Sequence, residues 1–179
     1  MPHYIAFLRG INLGKRRVIM SLLQSLFVEL GYSEVSTFIA SGNVLFTARE
    51  KNAAKLEDQI SQHLEKSLGY EVDTFVRTRA EVVTVAQAGA FEIDERSEFS
   101  VYVAFLQNPL AAEIAQRLSN VRTETDEIKV IGREYYWLCK IRSSESKVWS
   151  SKDIKALRLP TSTMRSITSL RKLVASFDA

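Results

Sequence analysis

Short, nearly continuous apolar runs alternate along the chain with stretches whose apolar residues recur at helical spacing. YIAFL (4–8) is rich in strand formers and predicts a strand. Residues 18–32, VIMSLLQSLFVELGY, place Ile19, Leu22, Leu23, Leu26, Phe27 and Leu30 on one helical face, and Gly31 supplies a stop. Two strand-like halves, 35–39 and 43–47, flank the turn signal Ser41-Gly42-Asn43. NAAKLEDQISQHLEKSLGY (52–70) predicts a second amphipathic helix ended by Gly69, and VDTFVRT (72–78) a fourth strand. The order β-α-β-β-α-β is that of a ferredoxin-like split unit.

RAEVVTVAQAGAF (79–91) predicts a linking helix running into the acidic loop EIDERSE. A second pass follows. FSVYVAFL (99–106) echoes YIAFL. Pro109 suits the first turn of a helix over 109–120, and EIKVIGREYYWLCKI (127–141) reads as a hairpin turning near Gly132-Arg133. SSKDIKALRL gives a short helix. STMRSITSLRKLVASF (162–177) reads as a last helix, started by Thr161 or Ser162, where a closing strand would stand in a full repeat. The expected fold is therefore α+β: two ferredoxin-like halves, antiparallel sheets with helices on one face, the second half imperfect. The expected divisions are 1–79, a linking helix and acidic loop over 80–98, and 99–179. YIAFL, NVLF and VYVAFL lack polar alternation, so these strands are expected to be covered on both faces, the second half being the simplest cover.

Of the 179 residues 46% are hydrophobic, enough for a packed core. No apolar run approaches the roughly 20 residues of a membrane helix, and the N-terminus lacks a basic region before an apolar stretch. With Cys139 the only cysteine, the expectation is a cytoplasmic protein with no membrane and no intrachain disulfide. His3 and His63 are the only histidines, so no Cys/His zinc site is expected and no cofactor is assigned. Cys139 reads as a buried structural thiol, and no GxSxG, Walker A or GxGxxG pattern occurs.

Net charge is +3, unevenly spread. Residues 1–20 carry Arg9, Lys15, Arg16 and Arg17 and no acid. Residues 48–100 hold seven basic and eleven acidic residues, whereas 140–179 hold nine basic and three acidic ones. In a ferredoxin-like sheet strand 1 neighbours strand 3, so the end of one lies beside the start of the other. Arg9, Gly10, Asn12, Gly14 and Lys15 are thereby expected to meet Ser41, Gly42 and Asn43 on one rim. Glycines let a ligand reach backbone N–H groups, Arg9 offers a bidentate fork, Lys15 a point charge, and Ser41 and Asn43 orienting hydrogen bonds. That chemistry suits a small phosphate- or carboxylate-bearing ligand. The bland alternative makes each residue structural: a hairpin turn, a loop cap, and Arg9 paired with an acid such as Glu34.

FLRGINLGKRR together with LFVELGYSEVSTFIASGNVLF resembles the bacterial family catalogued as a domain of unknown function, DUF 1697. Members open with an A-x-L-R-G-I-N-x-G-type segment and carry a Y-I-x-S-G-N-V-x-F-type hairpin, matched here by AFLRGINLGK and FIASGNVLF. LPTSTMRSITSLRKL looks like the family's closing segment, with Ser166 where Asn is more usual. The matching residues are Arg9, Gly10, Asn12, Gly14, Ser41, Gly42, Asn43 and Arg165. The resemblance implies a two-part ferredoxin-related α+β fold and brings no activity with it.

Three functional readings stand. The first is anion binding at the rim, completed by Arg165 at the start of a helix. The second is nucleic-acid binding through the basic N- and C-terminal segments, although strand 3, GNVLF, lacks the aromatic spacing of RNP1. The third is an enzyme of unknown reaction, for which no base or nucleophile stands out.

Overall fold

A computed structural model describes residues 1–39, 42–94 and 96–179. The chain divides into two units, Met1–Val83 and Thr84–Ala179. In the first, β1 (His3–Leu8), α1 (Met20–Glu29), β2 (Ser33–Thr37), β3 (Asn43–Thr47), α2 (Ala53–Leu68) and β4 (Thr74–Thr78) follow the expected order. The sheet runs β2-β3-β1-β4, and every pairing is antiparallel. α3 (Arg79–Ala86) follows β4 directly.

Local chemistry sets these elements. Asn52 caps α2 by accepting the Lys55 N–H at 3.3 Å, and Gly69 closes it in the left-handed conformation. Leu56, Ile60 and Leu64, four residues apart, turn one stripe of α2 into the core. From α1, Leu23, Leu26 and Phe27 join them, with Phe27 edge-on to Phe46 at 5.5 Å. Each such side chain contributes about 1.5–3 kcal/mol by leaving water. Beneath the helices lie Tyr4, Ala6 and Leu8 of β1, while Ile5 and Phe7 on the opposite face are buried too, as an unalternating apolar strand requires.

Strand β4 is an edge, and its outward N–H groups need acceptors. Glu57 on α2, only 3% exposed, accepts the Val76 N–H at 2.9 Å. His63 on α2 meets Glu29 at 2.9 Å. His3 is the first residue of β1 and pairs with Glu34 at 3.5 Å.

The second unit repeats the plan: β5 (Ser100–Phe105), α4 (Ala112–Ser119), β6 (Asp126–Ile131), β7 (Glu134–Cys139), α5 (Lys152–Ala156), β8 (Thr163–Ser166) and α6 (Ile167–Ala175), the sheet running β6-β7-β5-β8. Three sequence expectations are corrected. The closing strand is present as β8, in residues read as the start of the last helix. That helix starts at Ile167, and Ser166, not Thr161 or Ser162, caps it by accepting the Ser169 N–H at 3.1 Å. Pro109 lies upstream of α4, which begins at Ala112. Register makes the duplication explicit. Ile5 faces Arg77 across β1 and β4, and Val103 faces Arg165 across β5 and β8.

A polar knot anchors this unit. Asp126, 2% exposed, accepts from Trp137 Nε1 and Ser146 Oγ at 2.7 Å each and from Thr125 Oγ1. Burial pushes its carboxyl up, but hydrogen bonds from Thr125, Ser146, Trp137 and Thr123 outweigh that and hold it below the ordinary value. Cys139 is buried and donates to the Ile141 carbonyl, and burial raises its thiol pKa, as befits a structural residue.

Candidate functional site

The rim forms where β1 leaves the sheet. Phe7 pairs with Asn43, and the Leu8 N–H donates to the Gly42 carbonyl at 2.9 Å, so the β1–α1 loop and the β2–β3 turn start side by side. Gly42 has φ +77°, and a Cβ there would lie 2.8 Å from Ile11 Cγ2 and 3.3 Å from Leu8 Cβ. Glycine is thus required twice over, for its backbone conformation and for the closeness of the loop. Asn43 is 3% exposed, and its Nδ2 donates to the Phe38 carbonyl at 3.1 Å, clasping the hairpin from inside. Ser41 lies outside the described residues.

The loop itself has a distinctive backbone. Gly10, Asn12 and Gly14 have φ of +76°, +61° and +58°, whereas Arg9, Ile11 and Leu13 between them do not share the positive region. The sign therefore alternates residue by residue over 9–14. Arg9 is exposed, and its backbone N–H is spent on the Asp73 carbonyl at 2.9 Å. Asn12 holds the loop together: its Oδ1 accepts the Val18 N–H at 2.7 Å, and its carbonyl accepts from Arg17 Nη1 at 3.1 Å. Arg16 N–H closes a turn onto the Leu13 carbonyl. Among the described residues, the N–H groups of Gly10, Gly14 and Lys15 meet no acceptor.

Cationic side chains ring this backbone. Lys15, Arg16 and Arg17 are exposed, and no acid precedes Glu29 in the sequence. The Arg16 guanidinium lies 4.2 Å from the centre of the Tyr70 ring, a cation–π contact. Tyr70, absent from the sequence-derived site, also carries a buried hydroxyl with no partner among the described residues. Its position after α2 gave no local signal of this meeting. The φ alternation did leave one, because Gly, Asn and Gly two residues apart are the types that tolerate the left-handed region.

Arg165 belongs to the second unit. It sits on β8 rather than at a helix start, and its Nη1 donates to Thr163 Oγ1 and the Met164 carbonyl at 2.8 Å each. Burial lowers its pKa to about 10. Among the described residues no cluster of three or more His, Cys, Asp or Glu side chains could hold a metal ion, and no helix is long and apolar enough to cross a membrane.

Comparisons with known proteins agree with this architecture. The conserved bacterial protein SP0830 from Streptococcus pneumoniae superposes with a TM-score of 0.76 over 100% of this chain and 99% of its own. The two are 19% identical, so the likeness concerns the fold. No curated protein matches the chain. A family model described as a protein of unknown function (DUF1697) matches residues 1–136, most of both sheets. On that match the chain belongs to the DUF1697 family.

Proposed function

We propose that the β1–α1 loop, backed by the β2–β3 turn, binds a small phosphate- or carboxylate-bearing anion. The observation that carries this reading is the alternation of φ sign over residues 9–14. Alternating right- and left-handed residues turn successive N–H groups towards one concave side, an arrangement suited to anions. Gly10, Gly14 and Lys15 supply N–H groups that the described protein does not use. Lys15 adds a mobile charge, and Arg9 brings the geometry for a bidentate contact. Arg16, stacked over the Tyr70 ring, adds a further cation to this segment.

A thermal-shift screen of the full chain against inorganic phosphate, nucleotides, small carboxylates and short oligonucleotides tests the reading. A ligand at about a hundred times its Kd stabilises by about 2.7 kcal/mol, a shift of several degrees for a chain of this size. The expected result is a shift with one small anion that is reduced in Lys15→Ala and in Arg9→Ala. A shift confined to oligonucleotides and fading with salt would replace this reading with nucleic-acid binding.

A further inference from the structure

The second unit contains a cavity of about 430 Å³ that has no counterpart in the rim chemistry. It opens between the segment following α3, the start of β5 and the first turns of α6. Its volume lies within the range of small-molecule sites. One wall is apolar, built from Phe91, Ile93 and Phe99, the last 41% exposed despite its size. Polar side chains of the lining include Ser166, Thr168 and Arg171, contributed by β8 and α6.

The charges around this cavity are specific. Arg171 is exposed and makes no hydrogen bond or ion pair among the described residues. Two further cations contact aromatic rings of the lining: Lys129 is 5.5 Å from the Phe91 ring centre, and Lys140 is 5.8 Å from that of Phe99. Each raises the local positive potential. Among the described residues, a single acid, Asp94, lines the cavity. Its Oδ1 accepts the Arg96 N–H at 2.9 Å, and its carbonyl accepts from Ser97 N and Oγ, which holds the carboxylate in place.

We propose that this cavity binds a small carboxylate with an aromatic or branched apolar body, the carboxylate on Arg171 and the body against Phe91, Ile93 and Phe99. The guanidinium fork matches a carboxylate in a two-point contact. The fixed negative charge of Asp94 disfavours a phosphate dianion relative to a monoanion, which selects the carboxylate. The apolar wall selects against small hydrophilic anions, because Phe99 and Ile93 leave water only when an apolar body covers them. This site is independent of the loop in the first unit.

Isothermal titration of the full chain with phenylacetate, phenyl phosphate and 2-phenylethanol tests the proposal. Phenylacetate is expected to bind the wild-type chain and Lys15→Ala alike. Arg171→Gln, at an exposed position, should weaken it at least about tenfold, the loss expected when a charge-assisted contact is removed. Ala90→Phe, which fills the cavity from its lining, should abolish binding, with melting temperatures of both variants confirming that they fold. The proposal is overturned by no binding of phenylacetate, by tighter binding of phenyl phosphate or 2-phenylethanol, or by loss of binding in Lys15→Ala but not in Arg171→Gln.

Discussion

Replacing Gly42 by alanine tests the meeting of loop and turn. The left-handed φ of +77° costs an alanine about 1–2 kcal/mol. The new methyl would also lie 2.8 Å from Ile11 Cγ2, well inside contact distance, and 3.3 Å from Leu8 Cβ. Ile11 and Leu8 are 5% and 2% exposed, so neither yields freely, and such overpacking costs about 1–3 kcal/mol. Gly14→Ala is the control, since its φ of +58° is comparable but no atom lies within 4 Å of the added methyl. Both variants gain the same small stabilisation through the unfolded chain, about 0.4–1 kcal/mol. The difference between them isolates the steric contact at about 1–3 kcal/mol, read as the difference in Tm by calorimetry. For a transition the size of one unit this is about 4–8 °C per kcal/mol, and about half that if the whole chain melts together. Equal melting temperatures for the two variants would refute the close approach of the turn to the loop.

Two further predictions concern buried carboxylates. Asp126 titrates below its unfolded value, so its stabilisation is present above about pH 4 and is lost as pH falls through its folded pKa. Asp126→Asn should remove that acid-induced loss and lower stability at neutral pH by about 1.5–3 kcal/mol, measured by urea unfolding across pH, because the amide nitrogen cannot accept from Thr125. Glu57→Ala leaves the Val76 N–H of an edge strand without its acceptor and should cost about 1–3 kcal/mol, whereas Glu57→Gln, which keeps an oxygen, should cost less.

Much of the fold was legible because its signals are local. YIAFL and VYVAFL are apolar without alternation, and both became central strands. The capping of α2 by Asn52 and Gly69 needs only residues next to the helix. What failed was short or conditional. β8 is four residues long and mostly polar, and its identity as a strand comes from pairing with β5, more than fifty positions earlier. Pro109 fits a helix start, but the helix begins three residues later.

The site divides in the same way. The neighbourhood of Gly10 and Gly42 followed from strand order alone. The work done by individual side chains did not, because Asn12 and Asn43 direct polar atoms inward to backbone partners. Both asparagines therefore build the rim, and the proposed anion contacts fall to the loop backbone and to Lys15. The resemblance read from FLRGIN and SGN named the family, and the family match covers both segments.

Titration of the ¹⁵N-labelled full chain with inorganic phosphate, followed by amide chemical shifts, reads the loop N–H groups themselves. Anion binding at the loop moves the Gly10, Asn12, Gly14 and Lys15 amides saturably with one common Kd, weakened in Lys15→Ala. Amides of that loop that stay still while others saturate, or that drift linearly without saturation, would contradict it.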